Sequence, residues 1–110
     1  MVEVHILAID LAKRSFQVCT TNRAGSVLYN RVLSRAKLET LLREQPACIV
    51  AVEACATSHF WGRLAEAHGH EVRLIPPIYV KPFVKRQKND AADAAAIAEA
   101  ALRPNMHMSR

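Results

Sequence analysis

The sequence has 110 residues, of which 51% are hydrophobic and 23% charged, and its formal net charge is +5 at pH 7. This length suits one domain with a single core, and this composition excludes a disordered chain. Every apolar run is far shorter than the ~20 residues of a membrane-spanning helix, so we expect no membrane partner. Glu3 stands where a secretory signal carries basic residues, which predicts a cytoplasmic protein.

The cysteines and histidines lack the spacing of a zinc site. No two of Cys19, Cys48 and Cys55 form a CxxC pair, and no HExxH sequence occurs. Cys19 and Cys48 lie in apolar, strand-like segments. We therefore expect these two cysteines to be reduced residues of the core.

The first half of the chain predicts three strands and a helix. Residues 4–10 form a β-branched and aliphatic run, typical of a buried strand. Residues 15–21 and 27–33 alternate in polarity, and we interpret all three segments as an antiparallel meander. Ser34 is placed to cap a helix with leucines on one face, and Pro46 ends that helix.

The second half predicts alternating strands and helices. Residues 47–53 form a second apolar run, as in a strand covered on both faces. Thr57 or Ser58 is placed to cap a helix. The predicted core stripe of this helix consists of Phe60, Trp61, Leu64 and Ala65. A short strand at residues 71–75 follows, and an alanine-rich helix is predicted at about residues 90–102.

This order of elements predicts an α/β fold with a mixed sheet and helices on its faces. An antiparallel meander followed by strand–helix alternation is the ribonuclease H-like order. If the first and fourth strands are parallel neighbours, Asp10 and Glu53 end together at one edge of the sheet, where ligands gather in such folds.

Four acidic residues stand where this fold has little structural use for charge. Asp10 and Glu53 end the two most apolar runs, and Asp90 and Asp93 lie one helical turn apart. Two divalent ions held by carboxylates can activate a nucleophile and stabilise the leaving oxygen in phosphodiester cleavage. We therefore predict that Asp10, Glu53, Asp90 and Asp93 are catalytic residues that bind Mg²⁺ (or Mn²⁺) through hard oxygen ligands. Their mutual repulsion predicts raised carboxylate pKa values without metal.

Each acid also has a structural explanation. Asp10 can end a strand and begin a turn, and Glu53 can form an ion pair. Asp90 can cap the last helix, with Asp93 facing the positive end of the helix. These explanations are independent of one another, whereas one shared site accounts for all four positions. We therefore favour the shared site.

A basic stretch precedes the helical acids. Residues 72–89 contain no acid, and the pI of the chain is about 9.5. A run of basic charge is ordinarily a solvated face, but its place beside the acids favours contact with a phosphate backbone. The candidate nucleic-acid-binding residues are Lys13, Arg73, Lys81, Lys85, Arg86 and Lys88.

Three segments resemble the acidic motifs of the DEDD transposases of bacterial insertion sequences (the IS-one-ten group). These segments are ILAIDLAKRSFQVC, VAVEACATSHFW and QKNDAADAAAIAEA. In that family an IGIDVSK-like strand, a MEATG-like strand end and a KTDRxDA-like helix supply the four acids. The sequence departs from the family in having Ala-Cys-Ala after Glu53, where Ala-Thr-Gly is frequent, and Asn89, where Thr is usual. Neither departure removes an acid.

The resemblance covers nearly the whole chain and implies a single RuvC-like catalytic domain over residues 1–110, with the four acids as Mg²⁺ ligands. It implies DNA transposition and recombination, with DNA and a guide-type noncoding RNA as partners. Family members continue into a C-terminal domain that carries a serine proposed as the strand-joining nucleophile. We therefore expect this chain to be the N-terminal fragment of a longer transposase that does not complete recombination alone.

Two other functions stay open. One is a Holliday-junction resolvase-like nuclease on the same fold. The other is a non-enzymatic module for nucleic-acid binding or dimerisation, since the small side chains of residues 91–101 permit close helix contact and favour a homo-oligomer. An actin-like ATPase is excluded, because it needs clustered glycines, and Gly25, Gly62 and Gly69 are scattered.

Overall fold

The computed structural model describes residues 3–11, 15–84 and 89–103. The strands of this part of the chain are β1 (Ile6–Leu11), β2 (Phe16–Thr21), β3 (Val27–Leu33), β4 (Ile49–Glu53) and β5 (Glu71–Ile75). The helices are α1 (Arg35–Glu44), α2 (Ser58–Ala67), α3 (Pro77–Val80) and α4 (Asp90–Ala101), and a 3₁₀ turn at Lys81–Phe83 follows α3. The predicted order of the strands and the three longer helices is confirmed, and the short helix α3 lies between β5 and α4.

The strands described form one mixed sheet in the order β3-β2-β1-β4-β5. The strand β1 pairs antiparallel with β2 and parallel with β4, and β4 pairs parallel with β5. In the parallel pair, Ile9 lies opposite Val52, so the next residues, Asp10 and Glu53, follow side by side. The predicted adjacency of the first and fourth strands is therefore confirmed.

Each face of the sheet is covered by helices. On one face Leu7 and Ile9 pack with Leu38 of α1 and Trp61 of α2. On the other face Ile6 and Ala8 pack with α4, as do other small and aliphatic side chains. Because successive residues of a strand point to opposite faces, Asp10 belongs to the same face as Ile6 and Ala8, the face that α4 covers.

The helix α4 begins one residue earlier than a capping role for Asp90 requires. Asn89 is the N-cap, and its side-chain oxygen accepts a hydrogen bond of 2.8 Å from the backbone N–H of Ala92. Asp90 is the first helical residue. The proposed explanation of Asp90 as a helix cap is therefore wrong, because the preceding asparagine already fills that position.

Two predictions about α2 need correction. Phe60 is 43% exposed, whereas Trp61, Leu64 and Ala65 pack in the core as expected. Neither Thr57 nor Ser58 caps the helix with its side chain. Thr57 holds the N-cap position without such a bond, and the Ser58 hydroxyl donates to the Cys55 carbonyl at 2.8 Å.

Cys19 and Cys48 are free thiols in the core, as predicted from their apolar surroundings. Burial raises the pKa of each thiol to about 11, so both are protonated at neutral pH. No helix in the described ranges is long and apolar enough to cross a membrane.

Candidate metal site at the sheet edge

Two of the predicted acids lie side by side at the ends of the parallel strands β1 and β4. Asp10 and Glu53 follow the aligned pair Ile9 and Val52, and neighbouring strands lie about 4.8 Å apart. Glu53 belongs to the same face as Ala51, which packs in the cluster that includes α4. Both acids are half-buried. The carboxyl ends of two parallel strands therefore place two carboxylates beneath α4.

The helix α4 brings a third acid, Asp93, near Glu53. Asp93 is half-buried, and residues one and two turns further on, Ile97 and Ala100, are buried against the sheet. Residues at these spacings share one face of a helix, so Asp93 lies on the stripe that faces the sheet. Asp90 begins this helix one turn earlier, and its side chain lies outside what the structure describes.

The pKa of Glu53 is affected both by burial and by the Asp93 carboxylate. Burial raises the pKa of this carboxyl above its ordinary value, and the Asp93 carboxylate raises it further. Both effects disfavour the ionised form, the first by loss of water and the second by repulsion between like charges. The expected rise in pKa is thus found at Glu53, but burial contributes more to it than the repulsion that we expected to cause it.

The oxygen donors of this cluster match the preference of Mg²⁺ and Mn²⁺ for carboxylates, so the residues present fit a hard divalent cation. Over the described ranges, however, no three His, Cys, Asp or Glu side chains lie in an arrangement that could hold a metal ion. The structure brings Glu53 and Asp93 together with Asp10 on the adjacent strand, and a complete set of ligands stays a prediction.

The predicted nucleic-acid-binding residues divide into three groups. Lys81 is exposed in the 3₁₀ turn that follows α3. Arg73 does not join the acids, because its guanidinium donates to the carbonyl of Ala101, at 3.0 Å, and to Glu71. Ala101 lies eight residues beyond Asp93, which corresponds to about 12 Å of helix. The other four candidates, Lys13, Lys85, Arg86 and Lys88, lie outside the described residues.

Two amide side chains that the sequence analysis missed connect the sheet to the start of α4. Gln17 is 6% exposed and lies directly opposite Asp10 in the ladder between β1 and β2. Its Nε2 donates to Oδ1 of Asn30 at 2.7 Å, and Nδ2 of Asn30 donates to the carbonyl of Ala91 at 2.8 Å. No motif marks either residue in the sequence, since the bond from Asn30 to Ala91 spans 61 positions.

The sheet order, together with acids at the ends of β1 and β4 beneath α4, defines a RuvC-like domain of the ribonuclease H-like class. A solved structure described as "T. thermophilus RuvC in complex with Holliday junction substrate" is similar, with a TM-score of 0.62. The similarity covers 88% of this chain and 92% of that one at 19% sequence identity. Identity at this level shows the fold alone, and it does not favour a resolvase activity for this chain.

Comparison of the sequence with known proteins shows the family to which this chain belongs. The family model of the DEDD transposases of the IS110 group, described as "Transposase", matches residues 7–110, and this chain belongs to that family. A probable family 20 transposase of Pseudomonas aeruginosa is 49% identical over 91% of this chain and 30% of its own length. The transposase for insertion sequence element IS1328 of Yersinia enterocolitica is 46% identical over 97% of this chain and 32% of its own length. The chain thus spans about a third of the length of these relatives.

Proposed function

We propose that this chain is the catalytic domain of a DNA transposase, in which Asp10, Glu53, Asp90 and Asp93 bind divalent metal ions for strand cleavage and exchange. The observation that carries the proposal is the meeting of Glu53 and Asp93 beneath α4, where the repulsion of Asp93 adds to burial in raising the pKa of Glu53. Membership of the DEDD transposase family supports the reaction class.

The four carboxylates would share the work of binding and orientation. Bound Mg²⁺ or Mn²⁺ would supply an activated water and charge stabilisation on the leaving oxygen. Asp10 and Glu53 would hold their side of the site on rigid strands, while α4 would present Asp90 and Asp93 from the opposite side. Glu53 has to lose its proton to become a ligand, so metal affinity should fall as the pH drops towards its raised pKa.

DNA is the proposed substrate. The relatives are described as transposases, and the RuvC structure is described as a complex with a Holliday junction. Phosphate contacts are assigned to Lys13, Lys81, Lys85, Arg86 and Lys88, which leaves out Arg73 because its guanidinium is bound to Ala101 and Glu71. A guide-type noncoding RNA and a cytoplasmic location are further proposals that follow from the family.

A homo-oligomer is a weaker proposal than the sequence suggested. The alanines of α4 were expected to offer a surface for helix–helix contact. Ala94, Ala96, Ala98 and Ala100 are instead buried in this domain, against the sheet and the segments beside it. A homo-oligomer would therefore need a surface other than these buried alanines.

The metal site can be tested by titrating Mn²⁺ calorimetrically into the wild-type chain and into Asp10→Asn. Glu66→Gln is the matched control, since Glu66 is an exposed acid on α2. We expect saturable binding by the wild type and the control, and at least tenfold weaker binding by Asp10→Asn. Equal binding by all three proteins, or no binding by the wild type, would contradict the proposal.

Branched DNA separates the transposase from a resolvase-like nuclease. A transposase domain that requires the rest of a longer chain should leave a four-way junction uncut in the presence of Mn²⁺. Symmetrical cleavage of the junction by this chain alone, abolished in Asp10→Asn, would favour the resolvase-like alternative.

A further inference from the structure

The start of α4 packs on the sheet through small side chains. Between Ala91 and Ala96 the helix presents only methyl side chains besides Asp93, and the first large apolar side chain is Ile97. Methyl groups allow a close approach but interlock little with neighbouring side chains, so they define the position of a helix poorly. The segment that carries the helical acids therefore depends on directional bonds for its placement.

The amide pair of Gln17 and Asn30 supplies such bonds. The Ala91 carbonyl can only accept, so Asn30 must present its NH₂ group to it and its oxygen to Gln17. Gln17 must in turn present its own NH₂ group to that oxygen. The Ala91 carbonyl thus determines the orientation of both amides. Its oxygen has a second lone pair, which can accept the backbone hydrogen bond within α4.

This pair connects the two sides of the proposed metal site. Gln17 lies opposite Asp10 in the β1–β2 ladder, and Ala91 lies two residues before Asp93 in α4. Two strands, β2 and β3, and the helix are joined by two bonds of 2.7 and 2.8 Å. Together with the β1–β2 ladder, these bonds oppose a movement of the strand acid away from the helical acids.

We propose that Gln17 and Asn30 are positioning residues that set the separation between Asp10 and the acidic first turn of α4, and so tune metal affinity. The inference rests on the proposed metal site but concerns residues that contact no metal. Groups that orient metal ligands commonly change affinity by about 10–100-fold when they are replaced.

The test uses Asn30→Leu and Gln17→Leu, which remove the amides and keep a similar volume. Asn22→Ala is the control, because Asn22 accepts a bond from Ser26 in the β2–β3 turn, at the other end of β2. Three measurements are made on each protein: the thermal midpoint, hydrogen exchange of the Ala94 and Ala95 amides, and Mn²⁺ affinity by calorimetry.

We expect Asn30→Leu to bind Mn²⁺ about tenfold or more weakly and to exchange these two amides faster, while amides near Ala100 exchange as in the wild type. Gln17→Leu should show the same changes to a smaller extent, since it keeps the bond to Ala91, and Asn22→Ala should show neither. A folded Asn30→Leu with wild-type affinity would overturn the inference. If Asn30→Leu does not fold, Gln17→Leu decides by the same criteria.

A wild-type chain that binds no Mn²⁺ would refute the metal site, and hydrogen exchange would then judge the positioning role separately. Faster exchange of the Ala94 and Ala95 amides in Asn30→Leu would support that role, and unchanged exchange would overturn it.

Discussion

Glu53 at the end of β4 and Asp93 in the first turn of α4 lie close enough for the Asp93 carboxylate to raise the pKa of Glu53. Burial of Glu53 acts in the same direction and has the larger effect. The folded chain thus holds two acids together at a cost in stability, as sites that bind cations commonly do. A divalent cation at this point would offset the repulsion.

The substitution Glu53→Gln should stabilise the metal-free protein at neutral pH. The folded-state pKa of Glu53 lies above its ordinary value of 4.5, so the folded state holds this proton more tightly than the unfolded state. The contribution of the Glu53 proton to folding stability is complete below the pKa of Glu53 in the unfolded state. This contribution is lost as the pH rises through the pKa of Glu53 in the folded state. Glutamine carries no charge in the folded or the unfolded state, so the variant does not lose this stability as the pH rises.

Thermal unfolding of Glu53→Gln and the wild type between pH 4 and pH 8, in chelator, measures this effect. The difference in midpoint should grow in favour of the variant as the pH rises, and added Mn²⁺ should stabilise only the wild type. A midpoint difference for Glu53→Gln that does not change with pH would contradict the pKa assignment.

The substitution Asp93→Asn should lower the pKa of Glu53 part of the way to its ordinary value. It removes the electrostatic cause and leaves the burial, which is the larger one. A titration of the Glu53 carboxyl carbon by NMR in both proteins measures the change directly. An unchanged pKa would mean that the two carboxylates are further apart in solution than in the structure.

Much of the fold could be predicted because its signals are local. The runs ILAID and CIVAVE are too apolar for edge strands, and strand–helix alternation after a meander makes them parallel neighbours. The closeness of Asp10 and Glu53 follows from that adjacency alone. The pairing of Gln17 with Asn30 could not be predicted in the same way, because it depends on the register of three strands and on where α4 lies.

The errors come from judging residues by local composition. Arg73 was grouped with the basic residues that follow it, although it belongs to β5, where strand alternation turns it towards Ala101 of α4. Phe60 was assigned to the core stripe, yet it stays 43% exposed, with the Arg35 guanidinium 5.0 Å from its ring centroid. For both residues, the prediction relied on the type of residue and gave too little weight to the periodicity of the strand or helix.

The substitution Asn89→Ala should destabilise the protein by about 1 kcal/mol, because it removes the side-chain cap on Ala92. Asn89→Thr should keep most of the stability, since threonine caps helices and is the usual residue of the family at this position. Urea unfolding monitored by circular dichroism compares the three proteins. Equal stability of the alanine variant and the wild type would show that the cap contributes nothing.

The substitution His70→Ala should destabilise the protein by about 2–4 kcal/mol without altering Mn²⁺ affinity. His70 is 4% exposed, its Nδ1 accepts from the backbone N–H of Cys48, and its Nε2 lies 2.7 Å from the Leu42 carbonyl. Nε2 therefore carries the proton and donates to Leu42. The exposed His68 provides the control, since His68→Ala should change stability by less than about 0.5 kcal/mol. Nitrogen-15 chemical shifts that place the proton on Nδ1 would contradict this assignment.

The most direct test of the central claim is an anomalous-scattering measurement on crystals of this chain grown with Mn²⁺. The account predicts manganese peaks beneath the start of α4, within about 2.0–2.4 Å of carboxylate oxygens from Asp10, Glu53 and the acids of α4. A fully occupied manganese elsewhere, with no peak between these carboxylates, would contradict a shared metal site.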